Sequence, residues 1–329
     1  MKRRVLAIAG LLALCVPAWG QTANRTANGK PAVSKTYSPP RLPDGHPDFQ
    51  GIWSNATITP LERPSEFSEK AVLTDQEAAE FATEVVRRNN GDRRDGGTEA
   101  DVARAYNDFW YDRGTKAIKT HRTSLIVDPP DGRLPALTSD GQTRQAARAE
   151  ARRLHPADGP EDRRLSERCL NWGTAGPPMM PGAYNNNYQI VQTARTVVIF
   201  NEMIHDARVI PMDGRPHLAS NIRQWLGDSR GHWDGDTLVI ETTNFTDKTA
   251  FQGTGAHMRL TERFTRVDPD TLLYEFTVND PESFTRPWTV QIPSVRSDGA
   301  IFEYACHEGN YGMTGILSSA RAEEKAAKP

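Results

Sequence analysis

The sequence predicts a mainly β, α+β fold: an antiparallel β-barrel of about eight strands, with an extended proline-rich N-terminal arm and about three peripheral helices. Three observations carry this. From Tyr188 onward, strand-like segments follow one another at residues 188–193, 196–204, 206–211, 221–226, 237–244, 258–267, 271–278, 287–295 and 300–306. Their connections are short and turn-like, containing Asp-Gly-Arg, Trp-Asp-Gly-Asp, Val-Asp-Pro-Asp-Thr and Ser-Asp-Gly. None leaves room for a parallel crossover, and such a series closes into a barrel or packs as a sandwich.

In chain order, Lys2, Arg3 and Arg4 precede the apolar run 5–16, and small residues Ala18 and Gly20 follow. That pattern reads as a secretory signal peptide over residues 1–20. The run is too short to span a bilayer, which takes roughly 20 apolar residues, and no other stretch approaches that length. The expected setting is a bacterial periplasm or medium, with no membrane insertion. Residues 21–45 read as a flexible leader, 46–320 as a single domain and 321–329 as a frayed tail.

Composition narrows the partners. The chain has 40 bases and 42 acids; without Lys2, Arg3 and Arg4 the balance is 37 − 42 = −5. A nucleic-acid partner would want a basic face, so none is expected. Apolar residues make up 37%, with 25 Gly and 23 Pro, which suits short strands, many turns and a non-compact arm. Past the signal two cysteines remain, Cys169 and Cys306. In an oxidising compartment a disulfide is the simple reading, with two buried thiols as the alternative.

The arm, residues 39–64, is expected to run extended over a surface, anchored by Phe49, Ile52 and Trp53. Thr74 with Glu77 makes a capping box for a helix to about Arg88. A second helix is expected over about 99–112, where Val102, Tyr106, Phe109 and Trp110 form a packing stripe. Residues 123–135 are strand-like and end in a Pro-Pro-Asp-Gly turn. A third helix, about 139–154, is polar nearly all round and is expected on the surface. Residues 167–187 are irregular but carry Trp172, Met179, Met180 and Tyr184, which suits a lid or cavity wall.

Polar groups concentrate on the strand-like region 196–245. Alternation puts Leu260, Glu262 and Phe264 on one face, so Glu262 points where apolar groups point. A carboxylate there needs a partner, and Arg208, Arg259 or Arg263 qualifies. His205 has three readings: acid/base catalyst, structural hydrogen-bonder or metal ligand. Asp206 lies on the opposite strand face from His205, so Glu262 or Glu308 is the better orienter. His307 and Glu308 follow the last expected strand, where Gly309 and Gly312 permit tight turns. His205, His217, His257 and His307 lack the spacing of familiar zinc or copper sites, so no metal or other cofactor is assigned. Gly-Asp-Ser-Arg-Gly at 227–231 matches a nucleophile elbow, but a turn and a strand follow Ser229 where the elbow needs a helix.

The segments HDARVIPMDGRPH, GHWDGDTLVIETTNF, RFTRVDPDTLLYEFTVNDPESFTRPW and ACHEGNYGM resemble a group of uncharacterised secreted bacterial proteins, over about Pro43 to Glu323. The resemblance implies an exported bacterial setting and assigns no site residues. Gly51-Ile52-Trp53 is similar to the G-x-W that opens calycin barrels, while the long arm and the helices depart from a plain lipocalin.

The first functional expectation is an exported lyase, isomerase or hydrolase working by acid/base chemistry on a small molecule in the barrel mouth. His205 would be the acid or base, Arg208 would hold an anionic group, Glu262 or Glu308 would orient, and His307 would be a second acid/base. Trp172, Tyr184, Arg215, His217, Trp225 and Trp233 would contact the substrate. The alternatives are a non-catalytic periplasmic binding barrel, its pocket lined by Trp172, Tyr184, Trp225, Trp233 and Trp288, and a serine hydrolase acting through Ser229.

Overall fold

The computed structural model describes residues 37–103, 107–249 and 251–327, so the expected signal peptide and residues 21–36 of the expected leader lie outside it. Ten strands form one antiparallel sheet. They are β1 (Gly51–Ser54), β2 (Ile126–Asp128), β3 (Asn187–Gln192), β4 (Thr196–Asn201), β5 (Ala207–Pro211), β6 (Asp228–Asp234), β7 (Thr237–Thr243), β8 (Arg259–Asp268), β9 (Thr271–Asn279) and β10 (Trp288–Ser297). Their order is β5-β4-β3-β1-β10-β9-β8-β7-β6, and β2 also pairs with β10. Four α-helices accompany the sheet: α1 (Asp75–Asn89), α2 (Thr98–Ala103), α3 (Ser139–Leu154) and α4 (Tyr311–Ala326).

Alternation sets the core face. In β8 the buried positions are Leu260, Glu262, Phe264 and Arg266. Trp53, Tyr188, Phe264, Tyr274, Phe276 and Trp288 are each 1% exposed or less and belong to one apolar cluster. At roughly 1.5–3 kcal/mol for a large apolar side chain, aromatics of this size dominate the burial that holds the sheet together.

The ladder is open between β5 and β6, so the hydrogen bonds do not close the expected barrel. Side chains meet across that junction instead. Arg208 of β5 donates to Ser229 of β6 at 3.2 Å. Gly231 of β6 lies beneath Met212 and Ile210, so close that a Cβ there would come within 2.3 Å of the Met212 sulfur.

The arm does not simply lie over a surface. Its Gly51–Ser54 segment is an inner strand, bonded to β3 on one side and β10 on the other. Phe49 and Trp53 are completely buried, and the Trp53 indole N–H donates to the Phe49 carbonyl at 2.9 Å. Four residues are too few for a periodic signal, and partners more than a hundred residues away decide their place.

Among the helices, α1 carries the expected capping box, Thr74 with Glu77. α3 matches its expected span and is capped by Thr138. The second helix is shorter than expected: its described part is Thr98–Ala103, Asn107 is already extended, and Asp108–Trp110 forms a separate 3-10 turn. The Asp108 carboxylate accepts from the Gly91 amide, and its own amide donates to Asp92, which holds this segment off the helical path. Phe109 and Trp110 are therefore 85% and 61% exposed rather than packed.

Two expected strands are absent. Residues 221–226 form no strand; the β6 strand begins at Asp228, where the two-residue Gly235-Asp236 turn fixes its register against β7. Residues 300–306 are irregular, held by a hydrogen bond from the Phe302 amide to Glu202 and by a disulfide between Cys169 and Cys306. That bond spans 137 residues of sequence and fits an oxidising compartment. Past it, α4 runs to Ala326, through residues 321–326 where fraying was expected. No helix among the described residues is long and apolar enough to cross a membrane.

Candidate functional site

The expected catalytic residues fall into two separate groups. Glu262 and Arg208 meet in the core, with side chains 0% and 3% exposed. Two guanidinium nitrogens of Arg208 donate to the two carboxylate oxygens, at 3.0 and 2.6 Å. The Tyr274 hydroxyl donates to Glu262 at 2.8 Å and accepts from the Met179 amide at 3.1 Å. Ser229 accepts from Arg208 and lies 2.9 Å from the Thr242 hydroxyl. Burial opposes the charge on Arg208, but Glu262 more than offsets it and holds the guanidinium above its ordinary range. Burial and the Glu262 charge push the Tyr274 phenol far up. The bidentate geometry completes a charge pair inside apolar surroundings. Ser229 bonds Arg208 and Thr242 here and has no histidine partner among the described residues.

His205 lies elsewhere, on the turn between β4 and β5 rather than on a strand. The chain turns there through Ile204 and His205, both left-handed at φ 65° and 49°. A buried β-branched residue in that region is strained by roughly 1–3 kcal/mol, a cost usually met near functional or over-determined sites. The His205 Nδ1–H donates to the Tyr304 carbonyl at 2.9 Å. The His307 ring centre is 6.3 Å from that of His205. Nearby, Trp172, Tyr184 and Tyr304 pack ring to ring at 6.2–6.5 Å, with Met203 and Ile204 beside them. Glu202, almost fully buried, accepts from the Asn187 side chain and the Phe302 amide. Burial pushes the Asp206 carboxyl up, and burial with the Glu202 charge does the same to Asp112. Glu308 is exposed.

Three expected substrate contacts have structural partners. Arg215 pairs with Asp213 in an exposed turn. His217 bonds Asp228 at 2.9 Å; burial works against that carboxylate, but the Leu218 amide, His217 and Arg230 hold it below its usual range. Trp233 stacks on His46 at 4.6 Å and tilts against Phe49, fastening the arm. Trp288, included in the binding alternative, is a core residue.

Trp172 and Trp225 are together in a cavity of about 630 Å³. Its walls are α3, residues 161–177, Trp225, residues 247–249 and Phe251, and none of these lies on a strand. Arg148, Arg152, Arg163, Arg164, Arg168 and Lys248 face it, against Glu161, Asp162 and Asp247. Arg163 is neutralised by a bidentate bond to Glu167. Arg148 is tied to the carbonyls of Thr254 and Asp247. Burial, with Arg144 and Arg152 nearby, lowers its guanidinium below the ordinary range. Arg152, Arg164, Arg168 and Lys248 have no ion pair among the described residues. Phe251 forms an apolar wall and stacks on the core residue Trp288 at 5.8 Å.

Sequence reasoning missed the cationic side of this cavity, although one signal was available. Arg144, Arg148 and Arg152 recur every fourth residue of α3, which places them on one helical face. The first two are anchored, Arg144 on Ser283 and Arg148 on carbonyls, and the third is left for the cavity. The expected cavity wall in 167–187 is present through Arg168, Asn171, Trp172, Gly173, Gly176 and Pro177. Compared with family models, curated proteins and solved structures, the chain matches none.

Proposed function

We propose that this protein binds a small anionic organic molecule with an aromatic or other flat portion, in an exported setting. The observation that carries this is the convergence of Arg152, Arg164, Arg168 and Lys248, all without ion pairs among the described residues, on a cavity walled by Trp172, Trp225 and Phe251. Its size is within the roughly 300–1,000 Å³ typical of small-molecule sites. Guanidinium groups pair with carboxylate or phosphate through parallel N–H bonds, and aromatic walls accept a flat apolar body.

Calorimetric titration tests this with aromatic carboxylates and phosphate esters, each beside its neutral amide or alcohol. Anions should bind and neutral analogues should not. Arg168→Ala should weaken binding by about tenfold or more, the value of roughly 1.5–3 kcal/mol for a charge-assisted hydrogen bond. Equal affinity for anion and neutral analogue would overturn the proposal.

An acid/base enzyme is a second reading, favoured by the proximity of His205 and His307. Arg208 and Glu262 serve it poorly, because each is committed to the other inside the core. Unchanged turnover by His205→Ala and His307→Ala of any substrate found would remove it.

A further inference from the structure

We propose that His205 and His307 form a binding site for a borderline divalent metal ion such as Cu²⁺, separate from the cationic cavity. Three observations support it. The tautomer of His205 is set: its Nδ1–H donates to the Tyr304 carbonyl at 2.9 Å, which leaves the Nε2 lone pair open. A ligand histidine characteristically donates its other ring N–H to a carbonyl or carboxylate in this way. His307 is exposed and its side chain makes no hydrogen bond among the described residues, so its ring can reorient.

Distance is the second observation. A metal–nitrogen bond of roughly 2.0–2.1 Å plus about 1.2 Å to the ring centre places each centroid about 3.2 Å from the ion. Two bound rings then have centroids roughly 5–6.4 Å apart, from tetrahedral to linear arrangements. The observed separation is 6.3 Å, within that span.

Rigidity is the third. His205 is on the left-handed turn held by buried Ile204, and His307 follows Cys306, which is covalently tied to Cys169. Both imidazoles thus project from backbone that is already fixed, which lowers the ordering cost of binding. No cluster of three His, Cys, Asp or Glu suited to a metal occurs among the described residues. The ion would keep its remaining positions for water or an added ligand. Imidazole donors favour copper, nickel and zinc over magnesium or calcium.

The experiment uses tag-free, disulfide-intact protein and Cu²⁺ itself. Titration calorimetry gives affinity, and electron paramagnetic resonance counts coordinated imidazole nitrogens. Wild type should bind one equivalent with two imidazole nitrogens. His205→Ala and His307→Ala should each weaken binding by roughly tenfold to a hundredfold. His232→Ala, at an exposed histidine on β6, should leave it unchanged. Circular dichroism checks the fold of each variant. Copper binding of equal strength in the double variant His205→Ala/His307→Ala would overturn the proposal, as would a signal with no imidazole nitrogen. Anion binding in the cationic cavity is measured separately, so either proposal can fail alone.

Discussion

Replacing Glu262 by Gln puts the buried charge pair to its sharpest test. The substitution preserves shape and removes the negative charge, leaving the Arg208 guanidinium in a core site where its side chain is 3% exposed. Breaking one partner of a buried pair costs about 3–5 kcal/mol, because the remaining charge is uncompensated. With its oxygen at the Oε1 position the amide still accepts from Arg208 and Tyr274, but its NH₂ then meets the second N–H donor of Arg208. Against a domain stability of roughly 5–15 kcal/mol, that is a large fraction. The midpoint of thermal unfolding should fall by on the order of 10 °C. Urea unfolding followed by circular dichroism measures the free energy directly. The double variant Arg208→Met/Glu262→Leu should recover part of the loss, since both charges leave together. Recovery is incomplete because the Tyr274 hydroxyl loses its acceptor and Ser229 a donor. A loss under about 1 kcal/mol for Glu262→Gln would refute the reasoning, placing the pair in the range of exposed ion pairs.

Three further outcomes are expected. Gly141→Ala should destabilise by about 1–3 kcal/mol, although alanine is the better helix former, because a Cβ there would come within 2.5 Å of the Ser283 carbonyl oxygen; thermal melts will show the sign. Replacing both Cys169 and Cys306 by Ser should cost about 4–5 kcal/mol by the chain-entropy relation for a loop of this length, and should weaken anion binding by loosening the cavity wall that carries Arg168 and Trp172. His155, on the cavity rim, has its pKa raised by its hydrogen bond to and the charge of Asp158. Its folded pKa exceeds the unfolded value of roughly 6.5, so its contribution is complete below that pH and disappears as pH rises through the folded pKa. Anion affinity should decline over that same window, and His155→Gln should flatten the decline in titrations at several pH values.

Local chemistry made much of the sheet legible. The strands of β3, β4, β5, β7, β8, β9 and β10 were expected within a few residues, because alternation and two-residue turns are short-range signals. Thr74 and Glu77 showed where α1 begins, for the same reason. The position of Glu262 among Leu260 and Phe264 required a buried partner, and Arg208 was one of three candidates. By contrast, the turn at 202–206 was hidden inside what reads as continuous β-sequence. His205 was therefore given strand-face neighbours that it does not have. The α4 helix was missed because its hydrophobic spacing is weak and charged residues crowd its end.

The sequence by itself determined the mainly antiparallel architecture, the core-facing position of Glu262, the N-terminal cap of α1 and the pair of cysteines available to join. These follow from interactions between residues near in the chain or from a residue's own cost of burial. Only the tertiary structure decided that Gly51–Ser54 enters the middle of the sheet, that Arg208 rather than Arg259 or Arg263 pairs with Glu262, and that the ladder stays open between β5 and β6. It also brought α3, the disulfide-tethered segment and the loop of Lys248 around one cavity. The physical reason is range: periodicity and capping act over a few residues, whereas these contacts are chosen by packing among segments up to 297 − 52 = 245 residues apart, as Ile52 and Ser297 are, and nothing local encodes which distant surfaces fit.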